Sequence, residues 1–279
     1  MLQLGEYQQL SILRDTDPGL YLGNEEGDEV LLPQKYKPES FEIGDVLNVF
    51  VYLDHEERPV ATTLDPFIKL NEFGYLCCSD VNEYGAFMDW GLEKQLFVPF
   101  KEQARPMKVG SWYIVYMYLD EQSNRLTGSS KTNKFLSNEN LTVKKFDEVD
   151  IMVTHLTEKG ANVIVNGKHK GLIYLEDIFE DIRTGDRMKA YVKKIREDNK
   201  LDIVLQTPGY KSIEPNANYV LDELKAAGGF MPLHDKSDPE QIKNELGLSK
   251  KSFKKAIGSL YRDKQIIIKE DGIELADNS

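Results

Sequence analysis

Asn82-Glu83-Tyr84-Gly85-Ala86-Phe87-Met88-Asp89-Trp90-Gly91, with Leu96-Phe97-Val98-Pro99 close behind it, is the stretch that settles the fold, because its pattern is used three times. Gly85-Ala86-Phe87-Met88 is preceded by Gly19-Leu20-Tyr21-Leu22 and followed by Gly160-Ala161-Asn162-Val163, at offsets of 66 and 75 residues. The same offsets carry Pro33 to Pro99 to Tyr174, and Gly44 to Gly110 to Gly185. They also carry Glu57-Arg58 to Ser123-Asn124 to Asp198-Asn199. Four landmarks kept in register mean one supersecondary unit repeated three times.

Each unit reads as strands. Leu47 to Leu53, Trp112 to Leu119 and Met188 to Ile195 are rich in β-branched and aromatic residues with period-two alternation. Each follows a Gly-Asp or Gly-Ser pair, and two of them lead into Ser123-Asn124 and Asp198-Asn199, which suit hairpin turns. About five short strands in about 65 residues is the size of a small Greek-key barrel, most often an OB fold, with an SH3-like barrel as the alternative. Alternation places Met88 and Trp90 on the core face and Phe87 and Asp89 on the wet face.

After Pro208 the period changes. Ala217 to Lys225 has helical spacing and stops at Gly228-Gly229. Ser237-Asp238-Pro239 starts a second helix that ends at Gly247, and Ser249 caps a third from Lys250 to Arg262. Gln265 to Lys269 and Ile273 to Leu275 pair across Glu270-Asp271-Gly272. Helix, short strand near Met231, helix, tight turn, helix, hairpin is a winged helix-turn-helix. The expected architecture is mostly β with a C-terminal α+β domain: barrels over 1–64, 65–140 and 141–208, then a winged helix over 209–279.

The 279 residues carry a net charge of −12, but residues 1–64 hold 4 Lys and Arg against 13 Asp and Glu. Three quarters of the excess acid therefore lies in the first unit, and local basic clusters elsewhere can still meet phosphate. Lys250, Lys251, Lys254 and Lys255 form one polar stripe on the third helix, with Arg262 beyond them, on what is the recognition helix of helix-turn-helix proteins. Cys77 and Cys78 are adjacent and point to opposite faces of a strand, so they make neither a disulfide framework nor a metal site. The four histidines have no ligand spacing, and no phosphate-cradling loop or nucleophile elbow is present. The expectation is a non-catalytic protein without cofactor or metal. No apolar run reaches the ~18 residues of a membrane span, and the N-terminus does not read as a signal peptide.

Residues 82–99, and Glu158-Lys159-Gly160-Ala161-Asn162-Val163 with Gly171-Leu172-Ile173-Tyr174, resemble the strand-two and strand-three signature of the S-one RNA-binding domain. Three such units before a winged helix resemble the conserved virulence factor B family across essentially the whole chain. The resemblance implies cytoplasmic RNA-binding regulators. It puts ligand contacts at two aromatics flanking the Gly-Ala step, at a residue ending strand three, and on the turn between strands four and five. Those positions are Tyr84, Phe87, Pro99 and Arg125 in the second unit and Lys159, Asn162, Tyr174 and Lys200 in the third. In the first they are Pro18, Tyr21, Pro33 and Pro59, with no cation. Lys193 and Lys194 add charge to the third unit. The expected partner is single-stranded RNA, bound in post-transcriptional regulation by a monomer, with DNA as a further ligand of the winged helix. The alternative is a DNA-binding regulator or a protein-interaction scaffold with degenerate barrels.

Overall fold

The computed structural model describes residues 2–179, 181–206 and 215–276. Fifteen strands make three closed barrels. The first is β1 (Glu6–Thr16), β2 (Gly19–Gly23), β3 (Glu29–Pro33), β4 (Val46–Leu53) and β5 (Pro59–Thr62). The second is β6 (Phe73–Val81), β7 (Gly85–Asp89), β8 (Leu96–Pro99), β9 (Trp112–Asp120) and β10 (Arg125–Ser129). The third is β11 (Glu148–Thr157), β12 (Gly160–Val165), β13 (His169–Tyr174), β14 (Arg187–Ile195) and β15 (Leu201–Val204). In each, strands follow the order one-two-three-five-four and close between four and one. Strands three and five run parallel. This is the OB topology.

The repeated residues have physical reasons. Gly19, Gly85 and Gly160 pair with Pro33, Pro99 and Tyr174, so two of the landmarks are cross-strand partners. A Cβ at these glycines would fall 2.0, 2.4 and 1.9 Å from the carbonyl oxygens of Leu32, Val98 and Ile173. Only glycine lets strand three approach so closely. Gly44, Gly110 and Gly185 all have positive φ, and each donates its N–H at 2.8 Å to a first-strand carbonyl, of Ile12, Cys78 and Val153. At those same three carbonyl residues each first strand bulges, which re-aims Arg14, Asp80 and His155.

The fourth landmark needs a correction. The left-handed residue of the turn between strands four and five is Asn124 and Asn199 in the later barrels but Glu57 in the first, one position early. Pairing agrees: Leu31 faces Val60 where Phe97 faces Thr127 and Leu172 faces Asp202. The first turn is one residue shorter, so Arg58, and not Pro59, stands where Arg125 and Lys200 do. The first barrel has a cation there after all.

The barrels lean on one another. Phe50 and Tyr52 of the first pack edge-on against Trp90 of the second, with ring centroids 5.8 and 6.2 Å apart, inside one shared apolar cluster. Trp90 is buried as core, as alternation requires, and its indole N–H donates to the Lys94 carbonyl. Phe73, Met152 and Ile164 form a smaller cluster joining the second barrel to the third, with Phe135 stacked on Tyr116 beside it. Cys78 is buried and Cys77 partly so, on opposite faces of β6.

Residues 1–207 and 208–279 are two compact units. The expected boundary at 208 and 209 lies outside the described residues. The second unit has α1 (Pro215–Ala226), β16 (Phe230–Met231), α2 (Pro239–Leu246), α3 (Lys250–Arg262), β17 (Ile266–Ile268) and β18 (Ile273–Leu275). The strands form a sheet in the order β16-β18-β17. Asp238 caps α2 by accepting the Glu240 N–H, Gly247 ends it at φ +67°, and Ser249 caps α3 by accepting the Ser252 N–H. Phe253, Ile257 and Leu260 of α3 join Val220, Leu224 and Ile242 in the core.

Candidate nucleic-acid interface

A cleft of about 580 Å³ opens on the second barrel. Tyr84, Phe87, Pro99 and Arg125 all line it. Phe87 lies half-buried beside Phe97, ring centroids 5.2 Å apart, and Tyr84 stands 67% exposed at the start of β7. Asn82 holds that turn by accepting the Tyr84 N–H at 2.8 Å. Lys94 and Lys101 add cations to the lining, and Tyr52, Leu53 and Glu57 of the first barrel make one wall. Lys94 donates to the Asp54 carbonyl at 2.7 Å, and burial holds its ammonium below the usual lysine range against the opposing pull of Glu57.

A second cleft, of about 570 Å³, opens on the third barrel. Asn162, Lys170, Leu172, Lys200 and Leu201 line it, each 75 residues after Phe87, Gln95, Phe97, Arg125 and Leu126 of the first cleft. The two clefts are thus one site presented twice, aromatic in one barrel and amide-and-charge in the other. His155 reaches Asn162 from the bulge of β11, its Nε2 3.1 Å from Asn162 Nδ2. Asn138, in the linker before β11, donates to the carbonyls of Lys170 and Asn199 at 2.8 and 2.9 Å and closes one end. Tyr174 is outside the lining, but its hydroxyl accepts from Arg196, which lines the cleft and is paired with Asp202 at 2.9 Å.

The other cations of the third barrel are spread around it. Lys159 is exposed at the β11–β12 turn, outside the cleft lining. Lys193 and Lys194 are both exposed because β14 bulges between Val192 and Lys194. Lys193 is paired with Asp177 at 2.7 Å, and Lys200 with Asp198 at 2.6 Å.

At the equivalent place in the first barrel, the Arg14 guanidinium covers the Tyr21 ring at 4.1 Å and is fixed by Glu29 at 2.7 Å. Arg58 is held by Asp54 at 2.8 Å and Glu56 at 3.1 Å. Ring and cation are both occupied by the barrel's own side chains. In the second unit of the chain, Lys251, Lys254, Lys255 and Arg262 are exposed on one face of α3, beside Tyr261. Lys250 is half-buried and turns back toward the Lys236 carbonyl at 3.5 Å.

The sequence reading missed Phe97, although Leu96 and Val98 are buried and alternation leaves Phe97 beside Phe87. It also missed Lys94, Arg196 and Asn138, and the wall lent by the first barrel. No local pattern marks a residue that reaches a site from a neighbouring domain. Among the described residues no group of His, Cys, Asp or Glu could hold a metal, and no helix is long and apolar enough to cross a membrane.

OB barrels with paired ligand-sized clefts, joined to a winged helix, define a protein built from nucleic-acid-binding domain types. Residues 4–64 match the S1 domain, and residues 218–275 match the CvfB-like winged helix domain. The chain is 28% identical over 274 residues to the uncharacterized protein YitL of Bacillus subtilis strain 168, covering 94% of this chain and 90% of that one. It is 24% identical over 258 residues to conserved virulence factor B of Staphylococcus epidermidis ATCC 12228, covering 89% and 87%. A solved structure from Streptococcus pneumoniae TIGR4, titled a multidomain protein with nucleic acid binding domains, aligns over 98% of both chains at 25% identity and a TM-score of 0.43. Over most of its length the chain is similar to the conserved virulence factor B proteins, and its C-terminal residues match the winged helix domain typified by them.

Proposed function

We propose that this protein is a non-catalytic, cytoplasmic binder of single-stranded RNA that acts in post-transcriptional regulation. The observation that carries the reading is the pair of equivalent clefts 75 residues apart, one floored by Phe87 and Phe97, the other by Asn162 and Lys200. Unpaired bases stack on exposed rings while cations meet the backbone, and a duplex cannot present its bases in this way. Tyr84, Phe87 and Arg125 serve the second barrel, and Asn162, Lys200 and Arg196 the third. Lys159, Tyr174, Lys193 and Lys194 lie outside that lining and are the proposed outlying contacts of the third barrel. Lys250, Lys251, Lys254, Lys255 and Arg262 of α3 add phosphate contacts. Residues 1–64, 65–140, 141–208 and 209–279 are the proposed domains.

The test is affinity of the full chain for a labelled single-stranded RNA and for duplex DNA over a range of salt. RNA preference with steep salt dependence supports the reading. Preference for the duplex would make α3 the principal site and the protein a DNA-binding regulator. Binding to neither polymer would leave a protein-interaction scaffold.

A further inference from the structure

The rim of the second barrel's cleft carries a carboxylate from the first barrel. Glu57 sits at φ +65° in the β4–β5 turn and accepts the Arg125 Nε–H at 2.7 Å. A second guanidinium nitrogen of Arg125 meets the same Oε2, and the other oxygen lies 4.0 Å from Lys94 Nζ. Glu57, Arg125 and Lys94 all line the cleft. Two of the third barrel's cleft cations have counterions from their own barrel, Lys200 from Asp198 and Arg196 from Asp202. Arg125 takes its partner from across the domain boundary.

We propose that Glu57 is a built-in competitor for the phosphate of the RNA, so that the first barrel sets the affinity of a site whose rings belong to the second. This rests on the reading of the barrel-two cleft as an RNA site. A carboxylate and a phosphodiester offer the same pair of acceptor oxygens to a guanidinium edge, and only one can hold it. The Glu57 side chain is 39% exposed, so it can leave for water when a phosphate arrives. Ion pairs this exposed are weak, which makes the exchange accessible. A ligand that also stacks on Phe87 gains enough to displace Glu57, whereas a phosphate without a base does not. The first barrel therefore biases the site toward stacked oligonucleotide over bare anion. Without Glu57, Arg125 would lose its ion-pair partner on the cleft rim, while Lys94 would keep its bond to the Asp54 carbonyl.

The test uses Glu57→Gln in the full chain, with fluorescence anisotropy of a labelled oligouridylate across a salt series. Glu57→Asn is measured in parallel, because asparagine suits the left-handed turn and removes the same charge. Both variants should bind RNA about 3- to 10-fold more tightly at low salt. The slope of log affinity against log salt should steepen by up to about 0.7, because in the parent the phosphate only replaces the salt-sensitive Glu57–Arg125 pair, whereas in the variants it is a net gain of one ionic contact. In an Arg125→Gln background most of that gain should disappear. Phe87→Ala is the reference for the cleft itself. Weakened binding by Phe87→Ala with unchanged or weaker binding by both Glu57 variants overturns the competitor role and leaves the RNA site standing. Unchanged binding by all three overturns the site and the competitor together.

Discussion

Replacing Phe87 by Ala removes a ring from the barrel-two cleft while sparing the core beneath it. Phe87 is half-buried on β7, and its nearest ring is Phe97, at 5.2 Å. Fully buried phenylalanines cost about 3–5 kcal/mol on truncation, and a half-exposed one about half of that. A domain of ordinary stability, about 5–15 kcal/mol, stays folded after such a loss. One stacked base is worth about 1–3 kcal/mol, which is about a 5- to 160-fold loss of affinity. Anisotropy with a labelled single-stranded RNA reads the affinity, and a circular-dichroism melt reads the fold. Met88→Ala is the matched control: Met88 is the next residue, fully buried on the opposite face. That variant should lose about 2–5 kcal/mol of stability while its folded fraction binds RNA normally. A Phe87→Ala protein that stays folded and binds RNA with undiminished affinity would refute the stacking role.

On α3, changing Lys251, Lys254 and Arg262 together to Gln should flatten the salt slope for single-stranded RNA by up to about 2 units and weaken all sequences nearly equally, because phosphate contacts carry no base information; an unchanged slope would mean a merely solvated helix face. Gly160→Ala places a Cβ 1.9 Å from the Ile173 carbonyl at φ +138°, and should lower stability by about 2–3 kcal/mol in a denaturant titration; a variant as stable as the parent would show that strand three can move aside. Glu102 is a buried carboxylate: burial alone would raise its proton affinity, but hydrogen bonds from Ser129 at 2.6 Å and Lys134 at 2.9 Å outweigh it and hold the group below the usual glutamate range. Its folded form is the more acidic one, so its stabilisation is complete above the unfolded value of about 4.3 and is lost as pH falls through the lower folded value. Glu102→Gln should therefore lower the melting temperature at neutral pH and converge with the parent in acid; a constant difference across that range would remove the charge from the explanation.

The repeat made most of the fold legible. Gly19, Gly85 and Gly160 recur because a Cβ would strike the backbone of strand three, and Gly44, Gly110 and Gly185 recur because each takes positive φ to reach the first strand. These are local demands on single residues, so they are written in the chain. Alternation likewise separated Phe87 from Met88 and Trp90, and caps at Asp238 and Ser249 fixed the starts of α2 and α3. Spacing failed at the one place where a turn was a residue shorter, and there it hid Arg58 behind Pro59.

Only the tertiary structure decided what becomes of the charges. The sequence supplies Arg125, Lys193 and Lys200 as cations, but their partners are Glu57 from 68 residues away, Asp177 from 16 and Asp198 from two. It also turned the acidic first barrel, which reads as a bystander, into a wall of the second barrel's cleft through Tyr52, Leu53 and Glu57. Backbone geometry constrains neighbours along the chain, whereas ion pairs and cleft walls depend on how whole barrels pack, and one residue's type cannot encode which distant side chain will meet it.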